Sequence, residues 1–133
     1  MKRTYSCPHC NAILNPDTKI ILRVEKEGKR GLILFSPRPG DYHAILPIEV
    51  PLKSGDKVSF GCPLCSKDLQ SARGEEWAEI HFRSTEKIEG TALFSTTFGR
   101  HATCFITQEE ERWYGEDVQE NMNFWESGPI QEH

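Results

Sequence analysis

The sequence predicts a mainly β protein made of two repeated β units, followed by a short C-terminal helix or tail. Three observations carry that prediction. Short apolar segments alternate with a period of two, and Gly, Pro and Asp punctuate them. Helical periodicity is weak until Gln108. The same features also recur in the same order, each series headed by a C-P-x-C motif.

The elements follow in chain order. In "KIILRVE", Ile20, Leu22 and Val24 point one way, and Ile21, Arg23 and Glu25 the other. "EKEGKRG" reads as a hairpin turn around Gly28. "LILFS", residues 32–36, is a continuous apolar run and is expected to be a strand buried on both faces. "PRPGD" breaks it. "YHAILPIEV" resumes an extended segment, with Pro47 marking an edge or bend. "KSGDKVSF" is a turn leading into the strand that delivers the second cysteine pair. "WAEIHFRS" alternates again, with Ala78, Ile80 and Phe82 on one face, and "TALFS" and "ATCFIT" come next as strands. Finally, "EDVQENMNFW" spaces Val118, Met122 and Trp125 along one face of a short helix.

Two registers expose the repetition. Residues 59 apart match at Gly31 and Gly90, Leu34 and Leu93, Phe35 and Phe94, Ser36 and Ser95, and Gly40 and Gly99. Residues 55 apart match at Cys7 and Cys62, Pro8 and Pro63, Cys10 and Cys65, and Leu14 and Leu69. The difference of four reads as a change in loop length. The expected organisation is one domain over residues 1–115, with repeats at about 5–58 and 60–113, and an acidic segment over 116–133.

The cysteines decide the chemistry. The chain has five, four of them in "CPHC" and "CPLC". Two Cys separated by two residues reach one ion from a single tight turn, and the proline stiffens that turn. Two such turns complete a tetrahedral set of four thiolates, a preferred environment of structural zinc. Residues 7–11 and 62–66 resemble the knuckles of zinc-ribbon proteins. That resemblance implies a structural zinc held by Cys7, Cys10, Cys62 and Cys65, so that one metal joins the two β units. The layout also resembles that of a family of small bacterial zinc-binding proteins of uncharacterised function. The gap from Cys10 to Cys62 departs from the ribbon pattern, whose Cys pairs lie about 15–20 residues apart. A β unit fills the gap.

Other readings stay open. "CPHC" is also a disulfide-oxidant tetrapeptide, but that chemistry needs a preceding strand and a helix starting at the motif. Only six residues precede Cys7, and Pro16 interrupts the segment after the motif. His9, inside the first knuckle, and His81, on the face of Glu79 and Arg83, read as solvent-facing, and Cys104 as a buried inert thiol. The paired loops "FSPRPGDYHA" and "FSTTFGRHAT" each hold a Ser, a Gly and a His. Ser36, Asp41 and His43 can be drawn as a triad, and Ser95, Arg100 and His101 as an anion site, but no nucleophile-elbow motif stands behind either. The plainer reading makes each loop a turn, with Gly40 and Gly99 at positive φ.

Charge narrows the partners. Residues 1–108 hold 15 Lys/Arg and 12 Asp/Glu, a balance of +3. Residues 109–133 hold one Lys/Arg and eight Asp/Glu, a balance of −7. That is a poor footprint for nucleic acid, which would need Arg23, Lys26, Lys29, Arg30 and Lys57 clustered on one face. No apolar run approaches the roughly 20 residues of a membrane span, and no apolar stretch backs the basic start, so a cytoplasmic protein is expected. Trp113, Tyr114, Met122, Phe124 and Trp125 are costly to leave in water, so the acidic end should dock on the body or meet a protein partner. The functional expectation is a non-enzymatic, zinc-stabilised protein-interaction module. Its rivals are an enzyme or small-ligand site in the paired loops and a nucleic-acid-binding ribbon.

Overall fold

The structure is a computed structural model that describes residues 3–116. The expected C-terminal helix lies outside the described residues. Among the described residues, ten strands form two antiparallel sheets. They are β1 (Arg3–Ser6), β2 (Ile20–Lys26), β3 (Lys29–Phe35), β4 (Ala44–Ile45), β5 (Ser59–Gly61), β6 (Gln70–Ser71), β7 (Gly74–Ser84), β8 (Glu89–Ser95), β9 (Thr103–Ile106) and β10 (Glu111–Tyr114). One sheet runs β1-β7-β8-β9-β10, with β6 also on β7, and the other runs β4-β3-β2-β5. Among the described residues no helix is long and apolar enough to cross a membrane.

The two sheets exchange their first strands. β1 opens the first half but pairs with β7 of the second, Tyr5 opposite Phe82. β5 opens the second half but pairs with β2 of the first, Phe60 opposite Val24. The remaining registers match as well. Val24 faces Gly31 and Phe82 faces Gly90, while Phe35 faces Ala44 and Phe94 faces Thr103. β5-β2-β3-β4 is therefore the same ladder as β1-β7-β8-β9.

The four-residue slip between the two registers has a physical location. Ile21 donates its N–H to Leu14, seven residues back, whereas Glu79 donates to Leu69, ten back. β6 and its turn take up those three extra residues. The fourth lies in the β7–β8 turn, since Val24 pairs seven residues on and Phe82 pairs eight.

Alternation puts the core where the pattern placed it. Ile20, Leu22 and Val24 of β2 are buried, as are Ala78, Ile80 and Phe82 of β7. They pack in one cluster with Tyr5, Leu14, Ile33, Phe60 and Phe105, drawn from both sheets. The β2–β3 hairpin turns through Glu27 and Gly28, both at positive φ (54° and 83°). Two consecutive positive φ values match the twist of the flanking strands.

One expectation needs correction. "LILFS" is not buried on both faces: Ile33 is fully buried, but Leu32 is 51% exposed. The reason is that only one side of β3 faces the other sheet. Residues 111–114, inside the expected domain of residues 1–115, form the edge strand β10, with Trp113 opposite Cys104. Trp113 meets Trp77 edge-on at 5.9 Å, and Tyr114 meets Phe105 at 5.6 Å. Burying these rings outweighs the charge of the segment that carries them.

Candidate metal centre

β1 and β5 each end in a knuckle, and the two knuckles have the same hydrogen bonds. Cys7 donates its N–H to Ala12 and accepts at its carbonyl from Asn11 (3.0 and 2.9 Å). Cys62 does the same with Lys67 and Ser66 (3.1 and 3.0 Å). Asn11 and Ser66 turn the chain at φ 64° and 66°. In each knuckle an amide points at the first sulfur: His9 N–H at Cys7 Sγ and Leu64 N–H at Cys62 Sγ, both at 3.3 Å. A further amide, that of Cys65, reaches Cys62 Sγ at 3.4 Å.

The strand exchange brings the knuckles together. The Sγ atoms of Cys7, Cys10, Cys62 and Cys65 all lie within 4.8 Å of one another. Cys7 Sγ is 3.8 Å from Cys65 Sγ, and Cys10 Sγ is 3.7 Å from Cys62 Sγ. With metal–sulfur bonds of about 2.3 Å, a regular tetrahedron has sulfur edges of about 3.8 Å. These separations are far longer than a disulfide's S–S bond of about 2.05 Å, and all five cysteines are free. The donor set and spacing therefore fit a tetrahedral ion. The Cys cluster joins the N-terminal and C-terminal parts of the chain.

The electrostatics point the same way. Burial pushes the Cys7 thiol above its ordinary value. Burial acts likewise on Cys62, but the amides of Cys65 and Leu64 and the neighbouring thiols outweigh it and draw that thiol down. Four sulfurs this close cannot all ionise without a compensating cation, and the amide donors favour the thiolate form. Arg23 braces the second knuckle from the other half, its Nη2 donating to the Ser66 carbonyl at 2.9 Å. Sequence reasoning assigned Arg23 only to a basic face. His9 is exposed, and its side chain is not part of the cluster. A strand precedes Cys7, but the bonded turn after it replaces the helix that a disulfide oxidant needs.

The two loops meet elsewhere between the sheets, where both line a cavity of about 320 Å³. Gly40 and Gly99 both sit at φ 86°, as turn residues should. Ser36, Asp41 and His43 do not form a triad. In a triad the His lies between the acid and the Ser, whereas here Asp41 is in the middle. His43 Nδ1 is 2.7 Å from Asp41 Oδ1, and the Ser36 hydroxyl bonds to Asp41 as well. The His43 side chain is 93% exposed and does not line the cavity. Ser95, Arg100 and His101 do line it together. Tyr42 escaped sequence reasoning. The signal was available, because Tyr42 lies 59 residues before His101 and their rings stack at 4.5 Å. Cys104 is buried with Trp77, Leu93 and Ala102, as expected.

No family model, curated protein or solved structure matches this chain.

Proposed function

We propose that the chain is a zinc-clasped binding module, with zinc held by Cys7, Cys10, Cys62 and Cys65 as a structural joint. The observation that carries this reading is the pair of sulfur contacts, each crossing from one half to the other at a tetrahedral edge length. Bound there, zinc supplies a fixed four-point junction. Four protein ligands complete its coordination and leave no position for a substrate or a reactive water. The residues do the rest. The knuckle amides orient the sulfurs, Arg23 holds the second turn, and the exchanged strands β1 and β5 carry the load into both sheets.

A protein partner is supported by the outer face of the smaller sheet. Ile45 pairs with Leu34 on the side that also presents Leu32, and Leu32 and Ile45 are each more than half exposed. Ile48 beyond them is 95% exposed. Contiguous apolar surface of this kind is typical of interaction sites. The cations that a nucleic-acid face would need are interleaved with acids: Lys26 pairs with Asp56 at 2.8 Å, and Arg23 and Arg30 both pair with Glu25 at 3.3 Å.

Elemental analysis of purified protein beside Cys62→Ser tests the joint. About one zinc per chain, lost in the variant, supports it, and metal-free folded wild type contradicts it. The interaction reading is tested by comparing the partners retained by wild type and by a metal-replete Ile45→Lys/Ile48→Lys variant. A partner lost with the patch supports the reading, and identical retention contradicts it.

A further inference from the structure

The cavity between the sheets has an apolar wall drawn from both of them. Three of its rings form a triangle. Phe60 lies 5.7 Å from Phe35 and 5.4 Å from Phe94, and Phe35 lies 6.3 Å from Phe94. The rings are inclined to one another by 70°, 55° and 58°, in that order. All three line the cavity, and Leu22 and Ile80 continue the wall. Tilted rings present both faces and edges, which suits the packing of one more ring. Well-packed interiors leave few voids larger than a water molecule, yet about 320 Å³ stays open here. An apolar cavity of about 150 Å³ already stays dry and takes up benzene.

The polar groups around this space are engaged by the protein itself. Tyr5 Oη donates to the Pro37 carbonyl at 2.8 Å. Tyr42 Oη donates to the Tyr114 carbonyl at 3.0 Å and accepts from the Thr103 hydroxyl at 2.8 Å. Asp41 holds His43 and Ser36. His101 Nδ1 lies 3.1 Å from Glu116 Oε2, and Arg100 has a partner as well. Ser95 Oγ accepts the Thr97 N–H at 3.0 Å, and Arg38 is exposed to solvent. These bonds also brace the first loop, because Tyr5 ties it to β1 and Tyr42 ties it to β9 and β10. A charged ligand would leave water here without meeting a free counter-charge. An apolar one gains the transfer free energy of the surface it buries.

We propose that this cavity binds a small neutral molecule built on a single aromatic ring. The ring lies against Phe35, Phe60 and Phe94, and ionised relatives of the same size are excluded. Ala44 gives access to the site by mutation. It pairs with Phe35 across β3 and β4, and opposed residues of an antiparallel pair share a face. A larger side chain at position 44 therefore enters the space beside the Phe35 ring.

The test uses the full-length, metal-replete chain, with toluene as probe and benzoate and benzylammonium as its charged relatives. Amide NMR spectra track each titration. Toluene should shift the amides of residues 35–44 and 92–105, and both ions should bind at least tenfold more weakly. Ala44→Phe should abolish toluene binding while metal content stays at the wild-type value. Ala44→Leu, a milder filling, should weaken it at least threefold and keeps the test decisive if the larger ring prevents folding. No response at millimolar toluene overturns the proposal, including the case in which residues 117–133 already fill the space. An ion that binds as tightly as toluene, shifts confined to other regions, or binding untouched by the folded Ala44 variants overturn it as well. Metal content is read separately, so this proposal and the zinc reading fail independently.

Discussion

The rings of Tyr42 and His101 stack 4.5 Å apart and within 9° of parallel. They occupy corresponding places in the two halves. So do Phe35 and Phe94, whose rings lie 6.3 Å apart. The sulfurs obey the same exchange, because swapping the halves turns the Cys7–Cys65 contact into the Cys62–Cys10 contact. Self-complementary contacts of this kind are the mark of a twofold relation, here within one chain. The cysteine cluster and the cavity each draw on both halves.

Equivalent core positions should therefore have similar energetic weight. Leu14 and Leu69 are each 1% exposed, and each donates its N–H back to the strand before its knuckle. Leu14→Ala and Leu69→Ala should each cost about 2–5 kcal/mol. Urea unfolding of the two variants should give midpoints close to each other and well below wild type.

The two loop glycines should differ despite their identical φ. A side chain at Gly40 meets nothing, so Gly40→Ala should cost only the left-handed backbone strain of about 1–2 kcal/mol. At Gly99 the added carbon would also collide with Ser54. Gly99→Ala should be the more destabilising, and thermal melts of the two variants rank them.

Thiol chemistry should separate the cysteines. Burial pushes the Cys104 thiol up to about 12, so at pH 8 only about one part in ten thousand is thiolate, the reactive form. In metal-replete protein, a thiol reagent should find no fast-reacting cysteine. A chelator should release Cys7, Cys10, Cys62 and Cys65, and Cys104 should react only after denaturant is added.

Asp41 should titrate low. The His43 ring, then the His43 N–H and the Ser36 hydroxyl, hold its carboxyl down to about 2, from an ordinary 3.8. A depressed carboxylate contributes stability that is present above the unfolded value and is lost as pH falls through the folded one. Its share should therefore disappear between about pH 4 and pH 2. Carboxyl NMR should place the midpoint near 2 in wild type and higher in His43→Ala.

The sequence showed the parts that depend on spacing. The β2 and β7 alternation, the Gly28 hairpin, the knuckles and both repeat registers are local patterns, and local patterns survive folding. It hid what depends on partners far along the chain. Nothing in "RTYS" or "SFG" says that each strand pairs with the other half. β10 was not read as a strand because the run Glu109–Glu111 leads straight into it, beside the rings that pack it on the sheet. "LILFS" read as two-sided because apolar composition alone cannot say which face gains a neighbour. The loops were found through their repetition, but their common cavity needed the strand exchange.

The central claim is that one ion bridges both knuckles of a single chain. Cobalt titration of metal-free protein tests it most directly, because tetrahedral thiolate–cobalt absorption reports ligand number and geometry. Wild type should saturate at one cobalt per chain with a four-thiolate spectrum. Cys7→Ser/Cys10→Ser and Cys62→Ser/Cys65→Ser should each lose that spectrum. Saturation at two cobalt ions per chain, or a four-thiolate spectrum that survives removal of either pair, would contradict the account.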